Sequence, residues 1–233
     1  MSPAHVLVTG GATGIGLGIT RLLLNKGMRV SVCSRRPEPL SAVEALGAET
    51  LTWDLVQPLG LIHKLTPLTH LVHCAGNDNN DAIGSWSMSG FQETMALHAL
   101  ATAMLMQEWA AQAPTGGCFV GVASTLGRRT APGKAAYSAA KAAMLSICQS
   151  GALELAPKRL RVNAVLPGVV ETEMTRAPRT PGADIGQQLT ELAELHPLGR
   201  LGTPSEVAEA VAYLLEAQWT TGAELVVDGG LSL

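Results

Sequence analysis

The chain has 233 residues and a formal net charge of −3, with 47% hydrophobic and only 15% charged residues. Because disordered chains combine few apolar residues with much charge, this composition excludes disorder. It also argues against a nucleic-acid-binding protein, which needs a basic surplus. The length favours one domain, at about 150 residues per domain, so residues 1–233 are treated as a single domain.

Cysteine usage and hydropathy indicate the compartment. Cys33, Cys74, Cys118 and Cys148 are spaced too widely for a CxxC motif or a zinc knuckle, so we expect free, buried thiols and no metal site. Free thiols favour a reducing compartment. We find no secretory signal and no run of about 18 apolar residues that would form a transmembrane helix. The sequence therefore predicts a cytoplasmic protein without a membrane partner.

Short runs rich in Val and Leu alternate with helical patterns along the chain. The predicted strands are 5–8, 29–33, 49–53, 68–73, 117–122, 161–166 and 224–227. The predicted helices are 16–25, 39–46, 90–109, 134–155, 185–195 and 205–215. This alternation predicts a parallel sheet, and strands that are apolar throughout predict helices on both faces. We therefore expect an α/β fold with a doubly wound parallel sheet of about seven strands.

The segment 172–204 differs in character from the rest of the chain. It contains four prolines, several glycines and one short helical pattern. A strand and a helix follow it and would complete the same sheet. We therefore expect a lid over the substrate rather than a linker between domains.

A glycine-rich turn, TGGATGIG at residues 9–16, follows the first predicted strand. Glycine permits a tight turn, a close approach of the backbone to a pyrophosphate, and close packing of the next helix on the strand. The helix N-terminus then offers free N–H groups and its positive dipole end to the anion. A merely flexible turn is the alternative. The candidate nucleotide-binding residues are Gly10, Thr13, Gly14, Ile15 and Gly16.

The second predicted strand leads into Ser34, Arg35 and Arg36. An acidic residue here would bind the ribose hydroxyls of NAD, whereas an arginine can pair with the 2′-phosphate of NADP. The sequence therefore favours NADP(H), with NAD(H) as the alternative if both arginines are merely solvated. Asp54, after the third predicted strand, is a candidate acceptor for the adenine amine, or else a turn residue.

Three further residues form a candidate catalytic group. Tyr137 and Lys141 are four apart in a predicted helix and therefore share one of its faces. A nearby ammonium favours the phenolate and lowers the pKa of the phenol, which allows general acid–base catalysis. Ser124 ends the fifth predicted strand, at the sheet edge where parallel sheets bind ligands. Its hydroxyl can stabilise charge that develops on a substrate oxygen.

With these motifs the chain resembles the short-chain dehydrogenase/reductase family over almost its whole length, and most closely its ketoacyl-carrier-protein-reductase-like members. The motifs that carry the resemblance are 9–16, 73–76 (HCAG), Ser124, 137–141 (YSAAK), 163–168 (NAVLPG), 197–200 (PLGR), 221–222 and 227–230 (VDGG). The resemblance implies a Rossmann-type fold, a nicotinamide cofactor and a small-molecule carbonyl or alcohol substrate. It also implies a homodimer or homotetramer formed through the helices 90–109 and 134–155.

The resemblance further assigns roles to residues. Tyr137 would donate a proton to the carbonyl oxygen during reduction, and Ser124 would orient and polarise that oxygen. Lys141 would hold the nicotinamide ribose and depress the pKa of Tyr137. The other implied cofactor contacts are Leu55, Ala75, Gly76, Pro167, Gly168, Val170 and Thr172.

The sequence departs from the family pattern in two places. His98 occupies the place, aligned from Phe91, where the family usually has an asparagine. It is a candidate catalytic residue that can preserve the proton relay, alter it or add a titrating group, with a core or interface histidine as the alternative. His73 and Cys74 stand where Asn-Asn is common, and we expect cofactor binding to survive this change.

The sequence thus predicts an NADP(H)-preferring oxidoreductase that acts on a small carbonyl compound or a 3-oxoacyl group. One alternative is an NAD-dependent dehydrogenase of a secondary alcohol or sugar. Another, suggested by His98, is a nucleotide-binding sensor or scaffold without turnover. The polar loop 77–81 and the pair Arg128–Arg129 are candidates for the substrate mouth, unless both are solvated loops.

Overall fold

Seven parallel strands form one sheet in the computed structural model, which describes residues 3–65, 67–79, 82–178 and 182–233. The strands run in the order β3-β2-β1-β4-β5-β6-β7. This arrangement confirms the predicted α/β class and the strand number. The strands are β1 (His5–Thr9), β2 (Arg29–Ser34), β3 (Glu49–Thr52), β4 (His70–His73), β5 (Cys118–Val122), β6 (Arg161–Pro167) and β7 (Glu224–Val227).

The predicted helices are present, with two differences in the pattern. The segment predicted as one helix over 90–109 is two α-helices joined by a π-helical turn at Ala96–Leu100. A short helix, α6, was missed because four residues are too few to show a period. The helices are α1 (Gly14–Asn25), α2 (Leu40–Glu44), α3 (Met88–Met95), α4 (Ala101–Gln112), α5 (Ala135–Leu155), α6 (Glu173–Arg176), α7 (Ile185–Glu194) and α8 (Pro204–Glu216).

The sheet buries both of its faces. On β1, Val6 and Val8 belong to a core cluster with Ile19 of α1 and Val211 of α8. Leu7 lies on the opposite face, in a cluster with residues of α4 and α5. Successive strand residues point to opposite faces, so a strand covered on both sides must be apolar at every position. This explains why the strands showed no polar alternation.

The strand order determines where a ligand can bind. β1 lies between β2 and β4, and the chain crosses to opposite sides of β1 in its first and later crossovers. Such a switch point leaves a crevice at the carboxyl ends of the strands. The glycine turn, the Ser34–Arg36 segment, the residues after β4, Ser124 and the residues after β6 all follow strand ends. The fold therefore gathers the candidate residues at one edge of the sheet.

Over the described ranges, no helix is long and apolar enough to cross a membrane. The four cysteines are free; Cys74 is half-buried and the other three are buried.

Candidate active site

The glycine turn packs against the residues that follow β4. Gly10 has a φ of 65°, and a Cβ there would lie 2.7 Å from the Cα of Ala75. A Cβ on Gly16 would lie 2.1 Å from the carbonyl oxygen of Gly10. Glycine is therefore required at position 10 for the turn and at position 16 for the packing of α1 on it.

The N-terminus of α1 has the properties of an anion site. Thr13 is its N-cap residue, makes no capping hydrogen bond through its side chain, and is followed by no acidic residue in the first turn. The first amides of a helix point outward along its axis and carry its positive dipole end. These residues fit the pyrophosphate of a dinucleotide.

A cavity of about 230 Å³ extends from the glycine turn to the end of β2. In it, Asp54 accepts a hydrogen bond from the amide of Val56 at 3.0 Å, which is a turn contact. Arg35 lies 3.4 Å from Glu93 in an exposed ion pair that the sequence did not predict. The predicted residues that line this cavity are Gly10, Thr13, Ser34, Arg35, Arg36, Asp54, Leu55, Ala75 and Gly76.

A second cavity of about 420 Å³ continues from the first and shares Arg36, Ala75, Gly76 and Asn77 with it. The two form one groove from the end of β2 to α5. The predicted residues that line the second cavity include Gly14, Ile15, Gly16, His98, Tyr137, Lys141 and Thr172.

Tyr137 and Lys141 lie on α5, at the wall of the second cavity. The Lys141 ammonium is 5.6 Å from the centroid of the Tyr137 ring and donates a hydrogen bond to the carbonyl oxygen of Val122 at 2.8 Å. Burial lowers the pKa of Lys141 to about 8, because the charged form is poorly solvated there.

The acidity of Tyr137 differs from the expectation. Burial raises its pKa above the usual value, the charge of Asp78 adds to this increase, and hydrogen bonding with Ser124 opposes it. The net shift is therefore upward, opposite to the lowering that was expected from Lys141. The reason is that loss of solvation of the phenolate outweighs the effect of nearby donors.

Ser124 lines a third cavity and hydrogen-bonds with Tyr137, which lines the groove. It is the N-cap residue of a 3₁₀ turn at Thr125–Gly127, and its hydroxyl accepts a hydrogen bond from the amide of Leu126 at 3.1 Å. The third cavity has a volume of about 530 Å³. Ser124, Lys134 and Arg129 contribute polar groups to it, while Leu192 and Leu195, from the end of the predicted lid, contribute apolar walls.

His98 lies beside Tyr137, at the centre of the π-helical turn. The two rings are edge to face, with centroids 5.4 Å apart. Nε2 of His98 lies 3.1 Å from Oδ1 and 3.2 Å from the carbonyl oxygen of Asn77. Burial, together with the charge of Lys141, holds the pKa of His98 well below its usual range, so the ring is neutral. Its Nδ1 is buried and has no hydrogen-bond partner among the described residues.

The second departure, His73, is connected to the first. Thr9 accepts the amides of Cys74 and Ala75 on its hydroxyl oxygen, so its proton points to Nδ1 of His73, 2.8 Å away. Nε2 of His73 then donates to the carbonyl oxygen of Leu97 at 3.2 Å. The two positions that depart from the family pattern are thus linked through the residue that precedes His98.

The loop after β4 makes contacts that sequence reasoning missed. Asn77 contacts His98, Asp78 forms an ion pair with Lys134, and the Asn79 amide donates to the hydroxyl of Thr94 at 3.2 Å. Its first three residues are therefore not a solvated turn. The rest of the predicted loop, residues 80–81, lies outside the described residues.

Of the remaining residues predicted to contact the cofactor, some line a cavity and others do not. Gly168 lines the third cavity, and Thr172 caps α6 beside Gly14. Pro167 ends β6 and Val170 bridges to Gly202, but neither lines any of the three cavities.

The arginine pair after Ser124 binds other parts of the chain. Arg128 forms an ion pair with Glu224 at 2.6 Å, and Arg129 donates to the carbonyl oxygen of Leu231 at 2.8 Å. Of the predicted lid, the structure describes 172–178 and 182–204, where Gln188 of α7 donates to carbonyl oxygens beside α6.

Comparisons with known proteins agree with this geometry. The family model described as enoyl-(acyl carrier protein) reductase matches residues 10–232. The 3-oxoacyl-[acyl-carrier-protein] reductase of Rattus norvegicus is 32% identical, with 97% of each chain covered.

Solved structures show the same similarity. The NADPH-bound short chain oxidoreductase of Pseudomonas aeruginosa PAO1, described as containing an atypical catalytic center, is 32% identical with a TM-score of 0.88; 98% of this chain and 96% of that chain are covered. The aldohexose dehydrogenase of Thermoplasma acidophilum is 28% identical with a TM-score of 0.90; 99% of this chain and 94% of that chain are covered. The chain therefore belongs to the short-chain dehydrogenase/reductase family of NAD(P)-dependent oxidoreductases.

Proposed function

We propose that this protein is an NADP(H)-preferring oxidoreductase that interconverts a ketone and a secondary alcohol, with a small carbonyl compound or a 3-oxoacyl group as substrate. One observation carries the proposal. Tyr137 and Lys141 line the cavity that begins at the glycine turn, and Tyr137 hydrogen-bonds with Ser124, which lines a separate cavity of about 530 Å³. A nucleotide and a carbonyl compound thus have adjoining places, with donors between them.

Each residue of this group has a distinct task. A bound nicotinamide supplies or accepts the hydride. Tyr137 donates its proton to the carbonyl oxygen during reduction, and its raised pKa keeps that proton in place at neutral pH. Ser124 donates a hydrogen bond to the same oxygen and stabilises the charge that develops there. Lys141 keeps a positive charge beside Tyr137, which reduces the cost of the phenolate left after proton transfer.

The preference for NADP(H) rests on the end of β2. Ser34 stands where an acidic residue would bind the ribose of NAD, and both following arginines line the first cavity. The Pseudomonas relative is described as NADPH-bound. An NAD-dependent sugar dehydrogenase is a second candidate, because Glu93 lies in this cavity and neutralises Arg35, and because a structural neighbour is an aldohexose dehydrogenase.

We also propose that His98 contributes to the proton path. When Nε2 of the neutral imidazole donates to the oxygens of Asn77, Nδ1 is left as an acceptor on a ring that packs edge to face against Tyr137. A nucleotide-binding sensor would need none of these acid–base groups, which weighs against the scaffold alternative.

Four further proposals concern the whole chain and its assembly. We propose one domain over 1–233, a substrate lid over 172–204, a cytoplasmic location, and a homodimer or homotetramer through the segments 90–109 and 134–155. A cavity of about 460 Å³ between α4 and α5 is lined by small and apolar side chains such as Ala103, Met104 and Ile147, and by polar ones such as Gln107 and Glu154.

Substitution of Tyr137 by Phe tests the mechanism. The ring and its contacts with His98 remain, but the proton donor is lost. We expect kcat for ketone reduction to fall by about 10²-fold or more, while NADPH affinity stays within about threefold of wild type. Steady-state kinetics on a ketone panel and a fluorescence titration of NADPH measure the two quantities. Turnover near the wild-type rate would reject Tyr137 as the acid.

A further inference from the structure

His196 joins two parts of the chain that border the third cavity. The residue is only 3% exposed and follows the end of α7. Its Nδ1 lies 2.9 Å from the carbonyl oxygen of Leu192, in the last turn of α7. Its Nε2 lies 3.2 Å from the amide nitrogen of Val169, which follows β6. One side chain therefore connects α7, in the predicted lid, to the segment that leaves the sheet.

The two partners fix where the proton of this ring lies. A carbonyl oxygen can only accept a hydrogen bond, so Nδ1 carries the proton and donates to Leu192. The Val169 amide can only donate, so Nε2 is unprotonated and accepts. A Cβ on Gly229 would lie 3.5 Å from Cδ2 of His196, so the ring also packs on the segment after β7. The ring is therefore held in one orientation, with both nitrogens in use.

The segment around Val169 is also fixed to other parts of the fold. The amide of Gly168 donates to the carbonyl oxygen of Val227 at 3.0 Å. The carbonyl oxygen of Val169 accepts from the amide of Gly202 at 3.0 Å. His196 adds the contact that ties this segment to α7. Removal of the ring would leave the Val169 amide without this acceptor and would loosen α7 from the segment.

The residues that His196 connects form an apolar part of the third cavity. Leu192 and Leu195 contribute its α7 side, and Gly168 and Val169 contribute the side after β6. The polar residues that line this cavity all lie in another part of the chain, between β5 and α5: Ser124, Thr125, Arg129 and Lys134. A substrate chain between α7 and the segment after β6 therefore meets apolar groups, which favour an alkyl chain over a charged one.

We propose that His196 is a positioning residue that holds α7 against the segment after β6 and thereby determines the affinity for the alkyl chain of the ketone. It lines none of the three cavities, so it acts through the residues that it connects. Contact of both sides with a chain is sensitive to their separation, because a gap of about 0.5–1 Å removes much of the dispersion attraction. The inference rests on the proposed function, which places the reacting carbonyl at Ser124 and Tyr137.

Two methyl ketones measure this affinity. Heptan-2-one and butan-2-one have the same reacting group, and heptan-2-one has three more methylene groups. Each buried methylene strengthens binding by about fourfold, so contact with α7 gives the wild-type enzyme a preference for heptan-2-one. The preference is the ratio of the two kcat/KM values. This ratio does not depend on the fraction of the enzyme that is folded, so a loss of stability alone leaves it unchanged.

Three variants separate the two hydrogen bonds of His196. His196→Leu removes both, His196→Gln keeps an acceptor near the position of Nε2, and His196→Asn keeps only a donor near the position of Nδ1. His70→Leu is the matched control, because His70 is also buried and its Nδ1 accepts from the amide of Cys118 at 3.0 Å. His70 begins β4 and therefore lies at the opposite end of the strands from the catalytic group.

For His196→Leu we expect the preference for heptan-2-one to fall about fivefold or more, mainly through a higher KM for heptan-2-one, while kcat for butan-2-one stays within about twofold of wild type. His196→Asn shows the same loss and replaces His196→Leu if that variant does not fold. His196→Gln keeps the preference within about twofold of wild type. His70→Leu loses stability toward urea but keeps the preference.

Three results would overturn the proposal. The first is a wild-type enzyme without a preference for heptan-2-one, because the alkyl chain then gains nothing from α7. The second is an unchanged preference in His196→Leu and His196→Asn. The third is an equal loss of preference in His196→Gln or in His70→Leu, which would show that the acceptor for the Val169 amide is not what matters.

A binding measurement separates this proposal from the proposed function. If the wild-type protein reduces neither ketone with NADPH, the proposed function fails. Calorimetric titration of heptan-2-one into the NADP⁺-saturated wild-type and His196→Leu proteins then decides the role of His196. Binding at least fivefold weaker to the variant supports the role, and equal or undetectable binding to both overturns it.

Discussion

Arg36 lines both cavities of the nucleotide groove, whereas Arg35 is paired with Glu93 at the exposed rim. The two arginines are adjacent in sequence and were indistinguishable there. Their surroundings now separate them, because a charge already neutralised by a carboxylate gains less from a phosphate. Arg36 is therefore the better partner for a 2′-phosphate.

We expect NADPH to bind at least tenfold more tightly than NADH, a difference of about 1.4 kcal/mol. Arg36→Leu should reduce this preference by about tenfold or more, because a charge-assisted hydrogen bond is lost. Arg35→Leu should have a smaller effect. Paired fluorescence titrations of NADPH and NADH give two affinities for each protein, with Arg21→Leu on the exposed face of α1 as the control. Tighter binding of NADH would favour the NAD-dependent alternative.

For single residues, the sequence allowed the candidate catalytic residues to be identified, but it did not reveal what surrounds them in the fold. The spacing of Tyr137 and Lys141 indicated their shared helix face, and the structure places both in one cavity. The sign of the pKa change of Tyr137 was wrong, because burial by distant segments is not visible in a four-residue spacing. The contacts of Asn77 and Asp78 were missed for the same reason, since their partners lie 21 and 56 residues away.

The π-helical turn between α3 and α4 is the element that brings His98 to Tyr137. A π turn leaves backbone groups without their ordinary helical partners. Here the carbonyl oxygen of Leu97 accepts from His73, and that of His98 accepts from the hydroxyl of Thr102 at 2.5 Å. The hydrophobic pattern over 90–109 indicated one continuous helix. A π-helical turn adds only one residue to the helical repeat, and this small change in the spacing of the apolar residues could not be detected in the sequence. His73 therefore stabilises a turn whose presence the sequence did not reveal.

Substitution of His73 by Ala tests this link. It leaves the Leu97 carbonyl and the Thr9 hydroxyl without their partner and opens a cavity beneath the sheet edge. We expect a loss of about 2–4 kcal/mol in the free energy of unfolding, measured with urea. His63→Ala, at an exposed position, should change it by less than about 0.5 kcal/mol. A loss for His73→Ala no larger than that of the control would show that this contact does not support the turn.

At the scale of the whole molecule, the fold follows from the alternation of apolar strands and helices, so its class and strand number could be predicted. The conformation of the lid could not be predicted, because a segment rich in proline and glycine shows no regular spacing of apolar residues. The distribution of buried histidines also appears only in the folded molecule. His5, His70, His73, His98 and His196 are all buried. Their hydrogen bonds cross between strands and loops far apart in the chain.

Four of these histidines, His5, His70, His73 and His98, predict a loss of stability in acid. Burial lowers the pKa values of His5 and His98, and lowers those of His70 to about 4 and His73 to about 3. Since the unfolded pKa is near 6.5, the unfolded chain binds more protons below that pH. The stability they provide is therefore complete above about pH 6.5 and is lost as the pH falls toward 4.

Each of these four histidines changes the free energy of unfolding by up to about 1.4 kcal/mol per pH unit in this range. Urea unfolding between pH 4 and pH 8 measures the dependence. His70→Gln should flatten it between pH 6.5 and pH 4 even if the variant is less stable overall, while His63→Ala should leave it unchanged. Stability independent of pH between 6.5 and 5 would show that these histidines become protonated in the folded state.

Trp53 forms part of the wall of the first nucleotide cavity, with the ammonium of Lys64 4.6 Å from its ring centroid. Of the other tryptophans, Trp109 is enclosed in the core, and Trp86 and Trp219 are exposed. Indole emission overlaps the absorption band of a reduced nicotinamide. The protein therefore carries its own optical reporter, and quenching that disappears in Trp53→Phe would record nucleotide occupancy in real time without an added label.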